Sequence, residues 1–237
     1  MKMRIRYRAA IAVVLTAAVV CGVVGYIDRT AQVGTKPAIE RQIVIDAGHG
    51  GEDGGAEGLY NLVEKNINLS IALKLRDMLA LSGFDVIMTR SEDISIYDDS
   101  ANTTREKKRS DIKKRLEIAN GNPNAIMVSI HQNKFEQSQY SGAQMFYGLQ
   151  NELSQPLAEC LQKRFVANIQ PDNAREIKPI TSSVYLIHKA KIPAVLAECG
   201  FLSNPDEAKK LSQEEYQNQV AFTLYCGIVE FYDQSIG

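Results

Sequence analysis

Two histidines and two glutamates stand where apolar runs give way to glycine or polar residues, a placement suited to metal-assisted hydrolysis. Ile43-Val44-Ile45-Asp46-Ala47-Gly48-His49-Gly50-Gly51 closes a buried-looking run on a histidine between glycines. Ala125-Ile126-Met127-Val128-Ser129-Ile130-His131-Gln132-Asn133 does the same, and Ala194-Val195-Leu196-Ala197-Glu198 ends on a carboxylate. Glu64 opens an amphipathic pattern fifteen residues after His49. A catalytic zinc takes three protein ligands, commonly imidazoles and a carboxylate, and keeps one position for water. His49, Glu64 and His131 are therefore the candidate ligands. Glu198 is the candidate catalytic carboxylate, because a glutamate at the end of an apolar strand is costly to bury unless it has such work to do. His188, after Val184-Tyr185-Leu186-Ile187, is the rival ligand or else a group lining the substrate cleft. Cys199 follows Glu198 and should point to the opposite face of its strand, so it is not assigned to the metal.

These residues need a scaffold that gathers strand ends. From Gln42 onward, short apolar runs alternate with helical periodicity, which predicts an α/β domain: a mixed, mostly parallel twisted sheet flanked by helices. Ile67, Ile71, Leu75, Met78 and Leu79 recur at helical spacing, so a helix is expected from Glu64 to Leu81, closed by Gly83. A strand is expected over Phe84–Thr89, and a loop through Asp98, Asp99 and Asn102. Thr103-x-x-Glu106 reads as a capping box for a basic helix, and Ser212-x-x-Glu215 as the cap of the last one. A strand over 142–147 and a helix over 156–168 complete the pattern. In open α/β sheets, ligands bind beyond the carboxyl ends of the strands, where both histidines and Glu198 fall.

The organisation divides into three: residues 1–29 as a membrane anchor or signal segment, 30–40 as a linker, and 41–237 as the catalytic domain. Lys2, Arg4, Arg6 and Arg8 precede an uncharged run from Ala9 to Ile27, about the length of one bilayer crossing. Basic residues on that flank predict a cytoplasmic N-terminus and an exported domain. No A-x-A cleavage site closes the run, so an uncleaved anchor is favoured over a removed signal peptide. Net charge is -1, which gives no support for nucleic-acid binding. The local cluster Lys107, Lys108, Arg109, Lys113, Lys114 and Arg115 reads as a solvated helix face. Cys160, Cys199 and Cys226 read as core thiols. Gly48-His49-Gly50-Gly51-Glu52-Asp53-Gly54 is not a dinucleotide loop, since Asp53 occupies the place of the third glycine and would repel a pyrophosphate.

In combination, several motifs resemble the zinc-dependent N-acetylmuramoyl-L-alanine amidases of bacterial peptidoglycan. They are Asp46-Ala47-Gly48-His49-Gly50-Gly51, Glu64-Lys65, Met88-Thr89-Arg90, Ser129-Ile130-His131-Gln132-Asn133 and Glu198-Cys199-Gly200-Phe201-Leu202-Ser203-Asn204. The resemblance spans about Gln42 to Tyr232. It implies zinc held by His49, Glu64 and His131, Glu198 as catalytic carboxylate, and peptidoglycan as substrate. Ala47 and Lys134 depart from the family pattern, which has proline and alanine there, and neither is a ligand position. Within the family the chain is most similar to the germination-specific enzymes of spore-forming bacteria, which implies a role in cortex maturation through muramic-δ-lactam formation. Whether the enzyme works alone or needs an accessory activating protein to hold zinc stays open on sequence. Two alternatives stay open on sequence: a non-catalytic peptidoglycan-binding relative, and a zinc peptidase cutting within the stem peptide.

Overall fold

A computed structural model describes residues 41–236. The expected membrane segment, 1–29, and the linker, 30–40, lie outside the described residues. Among the described residues no helix is long and apolar enough to cross a membrane.

Six strands form one sheet: β1 (Gln42–Ala47), β2 (Asp85–Met88), β3 (Ile126–Asn133), β4 (Gln144–Tyr147), β5 (Lys178–Pro179) and β6 (Ala194–Phe201). Their order is β2-β1-β3-β6-β4-β5, and every neighbouring pair is parallel except β4 against β6. The helices are α1 (Glu64–Leu81), α2 (Thr104–Ala119), α3 (Ser154–Asn168), α4 (Tyr185–Lys189), α5 (Pro205–Leu211) and α6 (Glu214–Ile236). The chain leaves β1 toward β2 on one side and returns past it to β3 on the other. β1 and β3 therefore flank a topological switch point, where their carboxyl ends open a crevice.

Apolar periodicity explains the layers. In α1, Ile67, Ile71, Leu75 and Leu79 are buried and join the larger core with Leu157, Leu161 and Phe165 of α3 and Val220, Leu224 and Ile228 of α6. The alternate side chains of the strands divide between two cores: Val128, Ile130, Val195 and Ala197 face this one, while Met127, Ala194 and Leu196 face a smaller core with Ala119 of α2 and Leu186 and Ile187 of α4. Each such side chain contributes on the order of 1.5–3 kcal/mol when fully buried. The result is the expected α/β sheet sandwiched by helices.

Local signals behaved unevenly. Thr103 Oγ1 accepts from the Glu106 amide while Glu106 Oε2 accepts from the Thr103 amide, so the expected capping box caps α2. Ser212 does not cap the last helix. It closes α5, and its hydroxyl donates to the Lys209 carbonyl.

Candidate metal centre

His49 leaves β1 in the left-handed region, at φ 62, unusual for a residue with a side chain and found where surrounding contacts impose it. Those contacts are two buried arginines. Arg90 donates to the carbonyls of Ala47 (2.8 Å), Gly48 (2.9 Å) and Lys65 (2.9 Å). Arg115 donates to the carbonyls of Ala47 (2.9 Å) and His49 (2.8 Å) and pairs with Asp46 at 2.6 Å. The expectation that Arg115 belongs to a solvated basic face is thus corrected: it is 4% exposed and clamps the loop that carries His49. Buried guanidiniums satisfy several carbonyls at once because their donors are arranged as a rigid fork.

Glu64 is the first residue of α1, where a carboxylate is favoured by the helix dipole. The loop between β1 and α1 folds back so that Glu64 Oε2 accepts from the Ala56 amide at 2.8 Å and lies 3.2 Å from His49 Nε2. Its Oε1 lies 2.9 Å from His131 Nδ1 and accepts from the Gln132 amide (3.1 Å) and Asn68 Nδ2 (3.3 Å). The two imidazoles meet edge to face, with centroids 4.9 Å apart. Burial alone would push the Glu64 carboxyl up, but His131 and His49 outweigh it and hold it far below the usual range. Burial would likewise lower His49, yet Glu64 and Asp53 leave it raised.

The structure brings His49, Glu64 and His131 together with one potential donor atom each, all within 4.8 Å of one another. Two imidazoles and a carboxylate at that spacing fit a zinc ion. The surroundings fit as well. His49 Nδ1 lies 3.1 Å from Asp53 Oδ2, the carboxylate support that orients a metal-bound histidine. A Cβ added at Gly48 would lie 2.2 Å from His131 Nε2, and one at Gly55 would lie 2.5 Å from Glu64 Oε2, so both positions must lack side chains.

Glu198 is the cross-strand partner of His131, on the same face of the sheet. Its Oε2 is buried without a hydrogen-bond partner. Burial, reinforced by Glu64 and opposed by His131, His49 and Arg175, pushes its carboxyl up to about 7. Cys199 is buried in the larger core, as the strand alternation requires. His188 lies on α4, outside the His49–Glu64–His131 group, with a buried Nδ1 that has no hydrogen-bond partner. It is not brought to the metal centre. Asp53, Asn68, Gln132 and Arg115 were not singled out for the site by sequence; all are polar residues whose roles depend on how the chain folds back.

A glycine-bounded His/Glu/His cluster at the switch point of an α/β sheet, beside a half-buried carboxylate, defines a metallohydrolase-like centre. The chain belongs to the N-acetylmuramoyl-L-alanine amidase family, whose model matches residues 43–230. It is similar to the germination-specific N-acetylmuramoyl-L-alanine amidase of Bacillus subtilis, 34% identical over 198 residues that cover 84% of this chain and 82% of the relative. Among solved structures, the CwlD amidase of Clostridioides difficile in complex with the GerS lipoprotein matches at 43% identity and a TM-score of 0.78, over 82% of this chain and 99% of that one. An N-acetylmuramoyl-L-alanine amidase from Clostridium difficile 630 matches at 30% identity and a TM-score of 0.72, over 83% and 98%.

Proposed function

We propose that this chain hydrolyses the amide between the lactyl group of N-acetylmuramic acid and L-alanine of the stem peptide, with zinc held by His49, Glu64 and His131. The observation that carries the reading is the pairing of that donor cluster with Glu198, a half-buried carboxylate registered against a ligand, its Oε2 shielded from solvent and free of any hydrogen bond. When bound, zinc supplies the Lewis acid that polarises the scissile carbonyl and makes water acidic enough to attack near neutral pH. Glu198 accepts the proton of the attacking water and returns it to the departing amine of alanine. Burial raises the Glu198 carboxyl and a bound cation would favour its ionised form, so the two oppose each other at the group that must both take and return the proton. Arg90 and Arg115 keep the His49 loop in its strained conformation, and Asp53 fixes the orientation of the imidazole.

The similarity to a germination-specific amidase supports a role in spore-cortex maturation, in which removal of the peptide precedes muramic-δ-lactam formation. A relative solved in complex with a lipoprotein supports an accessory partner here. A membrane-anchored domain acting outside the cytoplasm follows from the basic, apolar N-terminal run. Digestion of peptidoglycan by the zinc-loaded protein, read by mass spectrometry, tests the reaction. Free stem peptides beginning with L-alanine are expected. Peptides beginning at a later residue would instead mark a peptidase, and no release by a zinc-loaded protein would favour a binding role.

A further inference from the structure

Arg175 lies in a cleft of about 480 Å³ lined also by Ser141, Gly142, Asn173, Asn204 and Glu207. The side chain is half-buried, and its contacts fix its position. Nη2 donates to Gln144 Oε1 at 2.5 Å, and the guanidinium carbon stands 5.0 Å from the centroid of the Phe201 ring. Gln144 is buried, and its own amide donates to the Glu176 carbonyl at 2.7 Å, which turns its oxygen toward the arginine. Gln144 is also the cross-strand partner of Glu198. A stacked guanidinium is thereby held on the β4 side of the candidate proton carrier.

That guanidinium is held but not satisfied. Its Nε is buried without a hydrogen-bond partner, and among the described residues Arg175 makes no ion pair. Glu207, in the same cleft, is occupied by the amides of Gly142 and Phe201. Asp172 and Asp206 are exposed at the rim. A buried donor left unpaired is costly, and a planar fork with a free edge matches a carboxylate.

We propose that Arg175 is a specificity residue that binds a carboxylate on the peptide side of the substrate. This rests on the amidase reading, and the chemistry of that substrate selects the side. The lactyl carboxyl of muramic acid is consumed in the scissile amide, so the nearby free carboxylates belong to the acidic residue that follows alanine. Arg175 touches the substrate beyond the reacting atoms and moves no proton.

The test compares N-acetylmuramoyl-L-alanyl-D-glutamate with its two monoamides, cleaved by the zinc-loaded wild-type protein and by Arg175→Met and Arg175→Lys. Wild type should lose about tenfold or more in KM on amidation of one of the two carboxyls, with kcat little changed. Arg175→Met should raise KM for the diacid by a similar factor and erase the preference; Arg175→Lys should recover part of it. Equal loss of kcat on all three substrates with unchanged preference would make Arg175 a structural residue and overturn the assignment. Should Arg175→Met fold poorly, the wild type still tests the inference: the absence of a KM penalty on either monoamide would overturn it. Failure of wild type to cleave any of the three would reject the amidase reading, and this inference with it.

Discussion

Arg115 Nη1 lies 2.6 Å from Asp46 Oδ1, with both side chains buried, three residues before His49. The same carboxylate accepts from the hydroxyls of Thr89 (2.7 Å) and Ser129 (2.5 Å), so one buried anion ties β1 to β3, to the loop after β2 and to α2. The arginine then passes that anchorage forward to the His49 carbonyl. The pair thus links the rigidity of the sheet to the geometry of the candidate metal site. Arg115→Met should leave Asp46 buried with its cationic partner gone. A destabilisation of about 3–5 kcal/mol is expected, as for other buried pairs broken on one side. Urea unfolding measures it, and zinc affinity should fall in parallel because the His49 loop loses its clamp. Unchanged stability in the variant would show that the pair does not anchor β1.

The same pair sets an acid limit. Burial pushes the Asp46 carboxyl up, but the Arg115 guanidinium and the Ser129 and Thr89 hydroxyls outweigh it and hold it at about 2, below the ordinary 3.8. A carboxyl lowered by folding contributes stability that is fully present above its unfolded value and disappears as pH falls through the folded one. The contribution is about 2 kcal/mol and is expected to vanish between roughly pH 4 and pH 2. Asp46→Asn should be less stable than wild type at neutral pH and show a shallower loss across that window. Parallel stability curves for the two proteins from pH 5 to pH 2 would remove Asp46 from the acid response.

Much of this arrangement was legible in the sequence, and the reasons are physical. Strand-end histidines and a glutamate at a helix start announce themselves because apolar runs rarely end on such groups without cause. The bounds of α1 and the Thr103 capping box are local properties, written in periodicity and in one four-residue motif. Arg115 was not legible. It sits among Lys107, Lys108, Arg109, Lys113 and Lys114, and nothing local separates a guanidinium aimed inward from ammonium groups aimed at water. Its role exists only once Asp46, carried on a strand 69 positions away, arrives beside it. Arg175 and Gln144 depend in the same way on the antiparallel pairing of β4 with β6. Ser212 shows the converse: a good local cap motif lost to a helix that ended one residue earlier.

Glu198→Gln should retain zinc and lose turnover by about 10²-fold or more, the usual contribution of a positioned general base. Metal analysis of the purified variant, alongside peptide release from peptidoglycan, separates the two effects. Near-normal turnover would remove Glu198 from the chemistry. In wild type, the acid limb of the kcat/KM profile should lie at or below pH 7, because the positive charge of a bound metal favours the ionised carboxylate relative to the value of about 7 set by the protein alone. The limb should be absent from the residual activity of Glu198→Gln.

Gly48→Ala tests whether the site is built around a missing side chain. The added Cβ would lie 2.2 Å from His131 Nε2 and 2.3 Å from its Cε1, so the imidazole must rotate or shift to admit it. Gly48 is not at positive φ, so the backbone itself tolerates alanine and the effect should fall on the ring rather than on the fold. Zinc affinity should drop by about tenfold or more, as when a ligand loses its orienting contacts, while far-ultraviolet circular dichroism stays unchanged. Turnover measured at saturating zinc should recover only in part, since a displaced His131 also alters its neighbour across the strand, Glu198. Wild-type zinc affinity in this variant would show that His131 has room to spare, and would weaken its assignment as a ligand held in one place.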